Sequence, residues 1–177
     1  MLSLEERKYP IGRVKLFRAY SEQELQENIQ RIKIFPEKLE ACYNELNQAD
    51  FKKKYREGSW TIQEIIHHTA ESHMVLFSRL KLCLTVDDLT VVPFPENDWV
   101  KLPDVQSLDP IHSVLILKGV HARISRILEG LSAEERTKSY LNPESNRRFS
   151  INDLIALYSW HGDHHLAQIK VALKFPA

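Results

Sequence analysis

Apolar residues return at helical spacing in four long stretches of the chain, each opened by residues that cap a helix. The first begins at Ser21, which with Glu24 three positions on forms a capping box. Leu25, Ile29, Ile32, Leu39, Tyr43 and Leu46 then share one face. Pro36 lies inside this stretch and predicts a kink or break near Ile34 and Phe35, because proline lacks the amide hydrogen and crowds the preceding turn. The second stretch opens on Thr61 and Glu64, another capping box, with Trp60 and Ile65 placed as a hydrophobic staple. It runs to about Leu84, and its inner face carries Ile62, Ile65, Ile66, Thr69, His73, Leu76, Phe77 and Leu80. His68 sits at one flank of that face and His67 nearly opposite. Asp109 followed by Pro110 starts the third, with Ile111, Val114, Leu115, Leu117, Ile124, Ile127 and Leu128, and with His112 and His121. Ser150, with Asp153 at its third helical position, opens the fourth, which ends near Lys174.

The segments between have different characters. Residues Met1 to Tyr20 hold no sustained period and contain the turn Tyr9-Pro10-Ile11-Gly12, which predicts an extended lead-in lying over the domain. Thr85 to Asp109 is long for a connection in a compact domain, and such connections tend to crown a site. Pro93 to Trp99 or Tyr9 to Gly12 is therefore expected to cover the open side of any site. Ser132 and Glu135 predict one short extra turn, and Lys138 to Leu141 with Arg147 to Phe149 flank a turn that predicts a small hairpin. The expectation is an all-α fold, a four-helix bundle with a long loop between helices two and three and a small hairpin before the last helix. One domain spans residues 1–177. Metal and ligand sites in such bundles are generally built from side chains on facing helices.

Composition narrows the class. The chain has 177 residues, 43% of them hydrophobic and 27% charged, with 5 glycines, enough for a core that needs no disulfide or metal staple. Lys+Arg and Asp+Glu balance at 24 each, which leaves no basic field for nucleic acid. No run approaches the ~18 apolar residues of a membrane span, and the N-terminus has no signal-peptide core. A cytoplasmic protein with no nucleic-acid or membrane partner is expected, with Cys42 and Cys83 as free thiols.

The chemistry concentrates in Trp160 to Ile169, W-H-G-D-H-H-L-A-Q-I. His161 and His165 stand four apart, so on a helix their Cβ atoms lie about 5–6 Å apart on one face. The apolar residues around them place both on the buried side, with His164 at its edge and Asp163 pointing away. Buried imidazole nitrogens need partners, and a metal, a hydrogen-bonding network or a wet pocket would each serve. Of His67 and His68, only His68 can look toward the bundle. Three imidazoles plus a water is the composition of an open, catalytic zinc site, although imidazole also suits nickel, copper or iron. His73, one further turn along the second helix, is open to three readings, ligand, outer partner of the site or plain core, of which the last two are favoured. Cys83 lies on the order of 22 Å beyond His68 along a straight helix and cannot share its metal. The string also lacks the glutamate that makes H-E-x-x-H a zincin signature.

With these residues placed, the chain resembles the DinB-like superfamily and, within it, the YfiT family of metal-dependent hydrolases. The resemblance rests on Y-P-I-G (Tyr9 to Gly12), Y-R-E-G-S-W-T (Tyr55 to Thr61), His67-His68, S-H-M (Ser72 to Met74), R-L-K-L-C-L-T (Arg79 to Thr85) and W-H-G-D-H-H-L-A (Trp160 to Ala167). It implies a four-helix bundle, a homodimer, and one divalent metal per subunit held by His68, His161 and His165, the trio that the helical faces also bring together. Zn²⁺ is the first choice and Ni²⁺ the second.

Two reactions follow from such a metal acting on a small-molecule substrate. Zinc lowers the pKa of a bound water toward ~7 or deprotonates a coordinated thiol. The resemblance therefore implies either a metal-dependent hydrolase or an S-transferase of a low-molecular-weight thiol. Hydrolysis needs a base within reach. Among nearby carboxylates, Glu64 fits its capping box, Glu71 lies further from the inner face than His68, and Asp163 faces away. Glu64 and Glu71 are thus weak catalytic candidates, which on chemistry alone tilts the expectation toward thiol transfer. The remaining alternative is a non-catalytic module in which the metal only staples two helices.

Overall fold

Side-chain caps at Ser21, Thr61 and Ser150 mark the starts of three of the four long helices, and the apolar faces decide how the helices meet. The computed structural model describes residues 2–174; Met1 and residues 175–177 lie outside the described residues. A short α1 (Leu4–Lys8) precedes α2 (Glu22–Asn44) and α3 (Ile62–Thr85). Two short helices, α4 (Glu96–Trp99) and α5 (Pro103–Ser107), lead into α6 (Ile111–Leu128). A hairpin of β1 (Ser139–Asn142) and β2 (Arg147–Ser150), with Tyr140 opposite Phe149, then leads to α7 (Ile151–Lys174). Both α2 and α3 pack against α6 and α7. The order around the bundle is thus α2, α6, α3, α7, with the consecutive helices α2 and α3 across a diagonal. The fold is the expected helical bundle with its small hairpin.

Three local expectations change. The lead-in is not wholly extended: Ser3 and Glu6 form a full capping box that starts α1. At α2 the box is half made. The Ser21 side chain accepts from the Glu24 amide, but the Glu24 carboxylate turns to Arg18. Most importantly, α2 runs unbroken through Pro36. The carbonyl that residue 36 would otherwise bond, Ile32 O, accepts instead from His121 Nδ1 at 2.7 Å. A tertiary partner thereby offsets the bond that proline forfeits. The Thr61–Glu64 box of α3 is complete. Ser150 caps α7 by accepting from the Asp153 amide, and the Asp153 carboxylate accepts from the Ser150 amide and from the Tyr20 hydroxyl at 2.8 Å, which ties the lead-in to the bundle.

The core falls into two apolar clusters. One contains Ile32, Leu76, Leu80, Ile124 and Tyr158, the other Phe35, Ala70, Leu117, Leu166 and Ile169. On α3, α6 and α7 the division between them is occupied by His73, His121 and His161 respectively. Gly162 in the middle of α7 admits Phe35 to this layer: a Cβ there would stand 2.7 Å from Phe35 Cδ2. That close approach explains a glycine where helix propensity alone disfavours it.

Candidate metal centre

Because α3 and α7 are neighbours, His68 meets the histidine pair of α7. His161 Nε2 lies 3.1 Å from His165 Nε2 and 3.3 Å from His68 Nε2, and ligand atoms of the three fall within 4.8 Å of one another. Gln168 orients one of these rings. Its amide nitrogen donates to the Lys8 carbonyl at 3.0 Å, so its amide oxygen faces His165 Nδ1 at 2.9 Å. An amide oxygen can only accept. His165 therefore carries its hydrogen on Nδ1 and turns a bare Nε2 lone pair into the cluster.

Burial holds all three rings below their ordinary pKa: His68 is pushed down to about 4, and His161 and His165 fall well below the usual value, with neighbouring histidines adding to the effect. At neutral pH no proton supplies positive charge among these nitrogens. Three neutral imidazole nitrogens pointing into one small space, at least one of them bare, form a donor set that fits a divalent metal ion. The outer nitrogens differ. His161 Nδ1 meets His73 Nε2 at 3.2 Å, and His68 Nδ1 has no protein partner.

The cluster forms one wall of a cavity of about 680 Å³, a size suited to a small organic ligand. Trp60 packs on His68 with ring centroids 4.5 Å apart, and Trp160 stacks on His164 at 4.3 Å. Both expected covering segments line this cavity, the lead-in through Tyr9 and the long connection through Phe94, Glu96 and Asn97. Trp160 holds the first of them by donating its indole N–H to the Gly12 carbonyl at 3.0 Å. Lys8 and Arg56 add positive charge to the lining.

Known proteins resemble this chain in sequence and in fold. A model of the DinB superfamily matches residues 31–169. The chain belongs to the DinB superfamily. Its relatives include a protein of Halalkalibacterium halodurans, 36% identical over 95% of this chain and 97% of the other, and one of Bacillus licheniformis, 34% identical over 97% of each. Both are provisionally named metal-dependent hydrolases. The solved structure of YfiT from Bacillus subtilis, described as a probable metal-dependent hydrolase with an unusual four-helix bundle topology, superposes with a TM-score of 0.91 at 29% identity. It covers 96% of this chain and 97% of that one. A mycothiol-dependent maleylpyruvate isomerase shares the fold at 17% identity with a TM-score of 0.63, over 80% of this chain and 59% of that one.

Within this DinB-superfamily bundle, the sequence-derived carboxylates stand apart from the histidine cavity. Glu64 accepts from the Thr61 amide at 2.7 Å and from Gln106 at 2.9 Å, as its capping role requires. Glu71 is buried rather than solvated. It lines a separate apolar groove with Met74, Leu89, Val91 and Trp99, where burial, with Asp104 adding, pushes its carboxyl up to about 7. Asp163 pairs with Arg31 at 2.6 Å on the α2 side. His67 is buried away from the trio, with Ser113 Oγ at 2.8 Å and the Leu108 carbonyl at 3.1 Å. Glu96, Arg56 and Lys8 were not singled out from the sequence, because each belongs to a short helix or connection with no usable period. The only sequence signal for Glu96 was its place in a connection long enough to cover a site.

Proposed function

We propose that this chain is a metal-dependent enzyme in which His68, His161 and His165 hold one divalent ion, zinc first and nickel second, and act on a small-molecule substrate. The convergence of their three Nε2 atoms at the wall of a ligand-sized cavity carries this reading. When bound, such an ion supplies Lewis acidity and lowers the pKa of a coordinated water or thiol. His165 and His161 are the rigid pair, one turn apart on one helix, while His68 reaches across from α3. Trp60, Trp160 and Phe94 give the cavity aromatic walls, and Lys8 and Arg56 favour a substrate with negative charge. A metal that only stapled α3 to α7 would need no cavity beside it.

Among reactions, hydrolysis gains support from Glu96. It is the carboxylate that lines the histidine cavity, at the start of α4 in the covering connection, and so the candidate for the base that hydrolysis requires. Transfer of a low-molecular-weight thiol is the second reading. It needs no base, and the 680 Å³ of space and the cationic Lys8 and Arg56 would accommodate a peptide-sized thiol.

One experiment separates them. Zinc-loaded protein is offered a panel of esters and amides and, separately, low-molecular-weight thiols with monochlorobimane, alongside His165→Ala and Glu96→Gln. Hydrolysis lost in both variants supports the first reading. Conjugation lost only in His165→Ala supports the second. A protein inactive on both panels, with a metal whose removal lowers its melting temperature sharply, would return the staple.

A further inference from the structure

Behind the cavity, a row of hydrogen bonds runs from the metal-facing ring back to the helix that contains Pro36. His161 Nδ1 lies 3.2 Å from His73 Nε2, His73 Nδ1 lies 2.8 Å from His121 Nε2, and His121 Nδ1 lies 2.7 Å from the Ile32 carbonyl oxygen. In an uninterrupted α-helix that carbonyl accepts from the amide four residues on. Residue 36 is proline and has no amide hydrogen, so the acceptor is left open toward the bundle interior.

We infer that His73 and His121 are positioning residues, and that the Ile32 carbonyl released by Pro36 sets, through them, the tautomer that leaves His161 Nε2 bare for a metal. The direction of the chain follows from donor chemistry. A carbonyl oxygen can only accept, so His121 carries its hydrogen on Nδ1. A neutral imidazole has one N–H, so His121 Nε2 must accept, and the group facing it, His73 Nδ1, must donate. His73 Nε2 is then the acceptor and His161 Nδ1 the donor. The reverse direction would set the His121 Nδ1 lone pair against a carbonyl lone pair.

Neutrality of the row is enforced by its surroundings. His73 and His121 are 0% and 1% exposed. Phe35 stacks on His73 with centroids 5.4 Å apart and lies 5.5 Å from His121, and Tyr158 meets the His73 ring edge-on at 5.1 Å. Burial lowers the pKa of each ring in the row. His165 is oriented in the same way by a shorter route, through Gln168 to the Lys8 carbonyl. Two of the three histidines thus take their orientation from backbone carbonyls outside the cluster, which should strengthen metal binding as outer hydrogen-bond partners generally do.

The inference rests on the trio's reading as a metal site, and its test separates the two. Long-range ¹H–¹⁵N correlation spectra of the metal-free full chain at neutral pH should show hydrogen on Nδ1 and a bare Nε2 for His73, His121 and His161. An Nε2-protonated His161 overturns the chain of assignments whether or not the protein binds metal. His73→Phe keeps a ring of similar shape but removes the acceptor. It should mix the His161 tautomers and weaken zinc binding on the order of 10–100-fold, while His73→Gln, which can still accept, recovers part of the loss. A His73→Phe protein with wild-type zinc affinity and an unchanged His161 spectrum would overturn the positioning role. Correct tautomers in a wild-type protein that binds no divalent ion would instead remove the metal reading and leave the hydrogen-bond row standing.

Discussion

The bundle's interior solves burial in two ways within a few residues of each other. In the cluster around Ile29, Leu80, Ile124 and Ile151, every one of these side chains is fully buried and apolar. Shape and volume set the energy there, and a neighbour can be exchanged for another of similar size. One turn away on α6, and two on α3, His121 and His73 are equally buried, yet their energy depends on partner identity. Removing one member leaves a buried polar atom unmatched, and that cost does not fall when the volume is conserved. The two regions should therefore respond to substitution in opposite ways.

The largest expected effect belongs to the cluster facing the cavity. His161→Ala and His165→Ala should each lose the metal to dialysis while wild type keeps about one ion per chain, measured by elemental analysis. Full stoichiometric retention by both variants would remove the trio as the site. In the apolar region the contrast should invert. Leu80→Ala should lower the unfolding free energy by about 2–5 kcal/mol in denaturant titrations, yet its folded fraction should keep the metal.

That inversion bears on what was readable from the chain. The four helices were legible because caps such as Thr61–Glu64 and faces such as Ile62, Ile65, Ile66 agree, and local consistency is what periodicity reports. His161 and His165 were legible for the same reason, since i, i+4 spacing is local. The break expected at Pro36 does not occur, because the rescue is not local: His121, on another helix, takes the carbonyl that proline frees. Periodicity also cannot tell His121 from its neighbours, because Leu117, His121 and Ile124 share one helical face and differ only in identity. Glu96, Arg56 and Lys8 reach the cavity from segments whose position is set by tertiary contacts such as the Trp160 bond to Gly12.

Acid should sharpen the comparison further. His121 is held down to about 4 in the folded chain by burial, against 6.5 for the free group. The unfolded chain therefore binds this proton near pH 6.5, while the folded chain does not until about pH 4. Stability of the metal-free protein should fall as pH drops through that window and be unaffected by this group above it. Urea titrations of wild type and His121→Phe at pH 7 and pH 4.5 check the sign. A pH response identical in the two proteins would contradict it.

A smaller effect is expected where the two regions touch. Gly162→Ala gains helix propensity, but its Cβ would stand 2.7 Å from the Phe35 ring that stacks on His73. A net loss of about 1–3 kcal/mol is expected from such overpacking, and thermal melts that show stabilisation would argue that α2 and α7 separate freely here. The smallest change should be Thr61→Ala, which removes one capping bond at the start of α3 and should cost about 1 kcal/mol with no change in metal content.

The account's central claim is that three imidazoles from α3 and α7 hold one divalent ion beside an open cavity. X-ray absorption spectroscopy of the zinc-loaded full chain tests it most directly. The expected spectrum has three imidazole nitrogens at about 2.0–2.1 Å and at least one further light-atom ligand from solvent. A sulfur ligand, a closed all-protein shell, or a chain that takes up no stoichiometric ion would contradict the claim.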